Sequence, residues 1–189
     1  YLKEWLLDIK NTIEENTYDS YKVIVNKICD YFEDKQLLLK DLKPVHIQEF
    51  YTTLYEKKLT GNTVLHYHNV IRKSLQTALK LDLILSNPAD KIERPKKEQY
   101  IGTFYSKAEL NTLFSLIKDD PLKIVIYLAS FYGLRRSEVL GLRWDAFNFE
   151  DKTITIKHKA IETRKDNKRV ILLKDKTKNQ NRINSIKSH

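Results

Sequence analysis

Ser130-Phe131-Tyr132-Gly133-Leu134-Arg135-Arg136-Ser137-Glu138-Val139-Leu140-Gly141-Leu142-Arg143-Trp144-Asp145 closes an apolar run and opens a charged one. The run, Ile124 to Leu134, is nearly apolar over 11 residues, too short to span a bilayer. It is apolar all round, which predicts a helix buried on most sides, with Tyr127 and Tyr132 as core residues. Gly133 breaks the helix, and Arg135 to Leu140 restarts one. This places a guanidinium at the edge of a core, rigid and partly desolvated. Arg135 and Glu138 are three apart, so the carboxylate can orient the guanidinium. A fixed arginine fork suits a phosphate whose charge must be stabilised. A purely structural Arg–Glu pair is the other reading.

Upstream, residues 1–90 read as four helices. Leu2, Trp5, Leu6 and Ile9 recur at helical spacing, and so do Tyr21, Ile24, Val25, Ile28 and Phe32 after Thr17 as N-cap. Pro44 suits the first turn of a third helix with the stripe Ile47, Phe50, Tyr51 and Leu54. A fourth follows Gly61 and Asn62, with Val64, Tyr67, Ile71, Leu75, Ala78 and Leu79 as its apolar face. Four such stripes can close into a small bundle. The opposite face of the fourth helix carries His66, Asn69, Arg72, Lys73, Gln76 and Lys80, and no acidic residue occurs between Glu56 and Asp82. Such a face can lie along phosphates without repelling them, or it can be an ordinary wet face.

Ser86-Asn87-Pro88 stops this helix, and residues 91–101 (KIERPKKEQYI), with net charge +2, read as a basic linker between domains 1–90 and 102–189. Ser106 and Glu109 fit a capping box, and Pro121 can open the next helix. After Asp145 the period becomes two: Thr153 to Ile156 alternates, Glu162 to Lys168 is a polar turn, and Val170 to Leu173 is β-prone. The fold expected is mainly α with a small antiparallel sheet.

The chain has 189 residues and a net charge of +9. Residues 1–151 hold 22 basic and 22 acidic side chains, while residues 152–189 hold 12 and 3, so the whole excess lies in the last 38 residues. A basic segment on a neutral body points to a polyanion, or to a solvated tail. A single cysteine, Cys29, excludes an internal disulfide framework and reads as a buried helix residue. Four glycines and no phosphate-loop motif argue against nucleotide binding, and the five histidines show no metal-ligand spacing. No secretory leader is visible, and the absence of methionine reads as a trimmed piece of a longer protein.

Residues 133–145 resemble, almost position by position, the first box of the tyrosine recombinases (phage integrases), of the phage or conjugative-transposon type, where Gly-Leu-Arg-x-Ser/Gly-Glu precedes Leu-x-Trp-x-Asp. Thr63 to Leu79 with Asn87-Pro88-Ala89 resembles the end of that family's core-binding domain, and Ser106 to Leu113 the opening of its catalytic domain. Residues 153–183 resemble its three-stranded sheet, with Lys176-Thr177-Lys178 at the lysine-bearing hairpin. The resemblance implies a SAM-like four-helix domain followed by a truncated catalytic domain. It implies DNA strand exchange through a 3′-phosphotyrosyl bond, without metal or nucleotide cofactor. Arg135 would clamp the scissile phosphate, Glu138 would support it from behind, and Lys176, with Lys178 as rival, would protonate the leaving 5′-oxygen. The fourth helix, the sheet and the linker lysines Lys96 and Lys97 would face duplex DNA. No tyrosine follows the sheet, so the chain as it stands is expected to bind DNA without cutting it, as a monomer, in a bacterial cytoplasm on the nucleoid. A non-catalytic DNA-binding remnant or regulator is the alternative, and a helical protein–protein module with a basic tail is a third.

Overall fold

A computed structural model of the chain describes residues 1–165, 168–175 and 182–185. It divides into two compact units, Tyr1–Ile101 and Gly102–His189.

The first unit holds α1 (Leu2–Asp8), α2 (Glu15–Glu33), α3 (Pro44–Glu56) and α4 (Gly61–Lys80). Their apolar stripes meet in one core around Trp5, Val25, Ile28, Ile47, Phe50 and Val64. Helix α2 opens earlier than a Thr17 cap requires. Glu14 is the extended N-cap, and its carbonyl accepts from the amides of Thr17 and Tyr18 at 2.9 and 3.0 Å. Pro44 opens α3, where its missing N–H has no helical partner to lose. Helix α4 also starts earlier than its expected position after Asn62: Thr60 is the cap, and its Oγ1 accepts from the Thr63 amide at 3.4 Å. The stripe Val64, Tyr67, Ile71, Leu75 and Ala78 is buried, and burial extends to His68, Val70 and Ser74. Cys29 is half-buried rather than fully enclosed.

A 3₁₀ turn, Pro88–Lys91, follows, held by the Asn87 side chain, which accepts from the Ala89 amide at 3.0 Å and donates to the Arg72 carbonyl at 3.1 Å. The next residues are not a loose tether. Ile92 packs against the first core and Pro95 is buried.

The second unit begins with α5 (Lys107–Leu116), whose Ser106–Glu109 capping box forms as its sequence predicts. Helix α6 (Lys123–Tyr132) starts after Leu122, so Pro121 stands just outside it. The expectation that α6 is buried on most sides fails. Val125, Leu128 and Tyr132 pack against the second core, but Ile124 is 69% and Phe131 45% exposed. Tyr127 packs instead against Phe114 of α5, their rings tilted and 4.8 Å apart, and stacks with Phe131. Helix α7 (Arg136–Leu140) completes the helical part.

The β-structure differs from one three-stranded sheet. Strands β1 (Phe147–Asn148), β2 (Thr153–Ile156) and β5 (Arg182–Ser185) pair antiparallel in the order β1-β2-β5, while β3 (His158–Lys165) and β4 (Lys168–Asp175) form a separate two-stranded sheet. Of the expected polar turn Glu162 to Lys168, residues 162–165 and Lys168 are strand: Glu162 pairs with Ile171 and Lys165 with Lys168. Ile171 and Leu173 are exposed on this ribbon, so polar residues are tolerated along it. Among the described residues no helix is long and apolar enough to cross a membrane.

Candidate nucleic-acid interface

Gly133 ends α6 in the left-handed region (φ 61°, ψ 33°), its amide bonded to the Ala129 carbonyl at 3.0 Å. Leu134 then dives into the second core, and Arg135 turns out as the extended N-cap of α7. Its carbonyl accepts from the Glu138 and Val139 amides at 2.8 and 3.0 Å. Glu138 reaches back: Oε2 accepts from the Arg135 amide at 3.0 Å, and Oε1 lies 3.6 Å from Nη1 of the guanidinium. The Glu138 side chain is 2% exposed and the Arg135 side chain 77%. The carboxylate therefore fixes the arginine's backbone more firmly than its head group. The guanidinium is presented to solvent, not desolvated as its place beside a core suggests, and its outward donors can meet an oxyanion.

Gly141, at the end of α7, sets where this turn stands. A Cβ there would lie 2.7 Å from Cα of Lys159 and 2.8 Å from the Ala160 nitrogen, so only glycine lets α7 back directly onto β3. Strand β3 and its partner β4 lead to the lysine segment. His158 opens β3, and its Nδ1 meets Oδ1 of Asp175, the last residue of β4, at 2.7 Å. Lys176 and Lys178 lie outside the described residues.

On α4, His66, Asn69, Arg72, Lys73 and Lys80 are exposed, and Gln76 is half-buried. Asn69, Arg72, Lys73, Gln76 and Lys80 line one shallow groove, with His66 off to the side. Two of the cations are already engaged. Nε of Arg72 donates to Oδ1 of Asp90 at 2.6 Å, and Nζ of Lys73 sits 5.3 Å from the Tyr21 ring centroid. Lys96 and Lys97 are exposed on the segment docked to the first unit. Sequence reasoning missed Asp90 and Glu98. Asp90 is 18 residues from its partner Arg72, and Glu98 is 37 residues from Gly61, whose amide it accepts. Neither separation leaves a local signature.

Behind the polar face, His68 is buried with Nδ1 3.0 Å from the Tyr51 hydroxyl. Burial holds its pKa below the ordinary value, Arg94 and Arg72 push the same way, and Asp90 opposes them.

The family model for the phage integrase N-terminal SAM-like domain matches residues 1–55. Tyrosine recombinase XerC of Staphylococcus aureus strain JH9 is 23% identical over 163 residues, covering 84% of this chain and 55% of the relative. The chain is thus similar to tyrosine recombinases over most of its length. It spans about half the length of the curated recombinases it matches. The fold of this chain is shared by the Tn1549 transposon integrase in complex with a circular intermediate DNA, with a TM-score of 0.77 at 17% identity, covering 98% of this chain and 60% of that one. It is shared also by a lambda integrase dimer bound to a core site, with a TM-score of 0.63 at 13% identity, covering 90% and 61%. In fold, the chain thus matches a core-binding region followed by part of a catalytic region of those integrases.

Proposed function

We propose that the polypeptide carrying this chain recombines DNA at specific sites through a 3′-phosphotyrosyl intermediate, and that the 189 residues themselves bind duplex DNA as a monomer without cutting it. The observation that carries this reading is the Glu138-held turn, which presents an exposed guanidinium on a fixed backbone. In the reaction, a tyrosine oxygen from outside these residues attacks phosphorus and the bond to the 5′-oxygen breaks. Arg135 neutralises the charge that grows on the phosphate oxygens. The departing 5′-oxygen takes its proton from a lysine, which we assign to Lys176 with Lys178 as rival. Asn69, Arg72, Lys73, Gln76 and Lys80 on α4, with His66, Lys96 and Lys97 nearby, supply phosphate contacts that carry affinity without sequence.

The test is a covalent-adduct assay with the complete polypeptide on a nicked suicide duplex. A protein–DNA adduct is expected, and Arg135→Ala should remove it while retaining DNA binding. Equal cleavage by Arg135→Ala would sink the assignment. Salt-sensitive DNA binding by the complete polypeptide with no adduct would instead favour a non-catalytic DNA-binding regulator.

A further inference from the structure

The last stretch of the first unit carries an acidic residue against the start of α4. The Glu98 carboxylate accepts the Gly61 amide, the first in α4, at 2.7 Å, and the Glu98 carbonyl accepts from Nδ2 of Asn62 at 3.0 Å. Gly61 is buried under this segment, and a Cβ on it would fall on the Lys96 carbonyl oxygen. Together with Ile92 in the core and buried Pro95, these contacts make residues 92–98 a strap closed over the start of α4. Lys96 and Lys97 ride on that strap with their side chains outward, about a turn and a half of helix before His66.

We propose that Glu98 is a positioning residue for DNA binding: it latches the strap so that Lys96 and Lys97 are held in place beside the polar face of α4. A latched strap meets phosphates without first being ordered, whereas a released one must lose its backbone freedom on binding. The inference rests on the reading that the partner is DNA. It makes a counter-intuitive demand, because simple Coulomb attraction to a polyanion favours removing any acidic charge.

The experiment measures binding of a labelled mixed-sequence duplex to the 189-residue chain across a salt series. Glu98→Ala and Glu98→Gln remove the same charge, but only glutamine keeps an oxygen that can accept the Gly61 amide. The latch predicts that Glu98→Ala weakens binding by about fivefold and flattens the salt dependence by up to about 2 in log–log slope, the share of two lysines. Glu98→Gln should rescue both. Gly61→Ala, which changes no charge but displaces the Lys96 carbonyl, should weaken binding like Glu98→Ala. In the Glu98→Ala background, adding Lys96→Ala and Lys97→Ala should cost little more. Glu98→Ala binding as tightly as the parent, or more tightly, overturns the proposal. If the parent chain shows no salt-sensitive DNA binding, the functional reading fails, and tryptic cleavage after Lys96 and Lys97 tests the latch alone. Faster cleavage in Glu98→Ala and Gly61→Ala than in the parent and Glu98→Gln upholds the strap; equal rates in all four overturn it.

Discussion

Glu138 and Arg135 are joined at two points of unequal strength: a 3.0 Å hydrogen bond from the arginine's amide and a 3.6 Å approach to its guanidinium. The first is partly buried, on a carboxylate that is itself buried, and the second ends on a guanidinium open to water. Glu138→Ala leaves that amide without its acceptor and opens space in the second unit. A loss of about 1–3 kcal/mol in the stability of that unit is expected by calorimetry, with Glu138→Gln losing less because its amide oxygen can accept.

Arg135→Ala should separate stability from chemistry. The side chain is exposed and its ion pair is long, so unfolding of the chain should change by no more than about 0.5 kcal/mol. In the complete polypeptide the same substitution should slow adduct formation by about 10²–10³-fold in single-turnover assays. A large stability loss with normal cleavage would reverse the roles given to the backbone and the head group.

Gly133 and Gly141 bracket the arginine turn and should fail differently when changed to alanine. At Gly133 a methyl meets nothing within 4 Å, so the cost is the left-handed conformation alone, about 1–2 kcal/mol. At Gly141 the methyl strikes the β3 backbone, so the helix or the hairpin must move. Hydrogen exchange should rise at β3 amides in Gly141→Ala and stay near parent levels there in Gly133→Ala.

His68 gives the first unit a pH dependence. Its folded pKa is depressed by burial and by Arg94 and Arg72, so the neutral ring is the stable form. The unfolded chain binds the proton more readily. The stabilisation is therefore fully present above the ordinary value near 6.5 and is lost as pH falls below it, through the folded value. The melting temperature should drop between about pH 7 and about pH 5.5, and His68→Gln should flatten that change.

The sequence was legible where one face of an element is buried and the rest is not. The stripes of α2, α3 and α4, the Ser106–Glu109 box and the alternation of Thr153 to Ile156 all answer to local rules, and the structure follows them. Residues 162–165 were not legible as strand, because the ribbon's burial alternates without matching polarity: Thr163 is buried, while Ile171 and Leu173 on the partner strand are exposed. In α6 composition promised burial, but burial also needs neighbours, and Ile124 and Phe131 have too few among the described residues. For the site, Arg135 and Glu138 were readable from their spacing, whereas the Glu98 latch and the Asp90 counter-ion are long-range pairs that no short window reveals.

The two sheets share one continuous template. β2 and β3 are separated only by Lys157, yet their partners Arg182 and Asp175 are separated by residues 176–181. Each register is set by its own ladder, so neither depends on how many residues lie between. Insertions within 176–181 should therefore leave both ladders in frame. The pairing of each ladder is thus specified without counting the residues that join them.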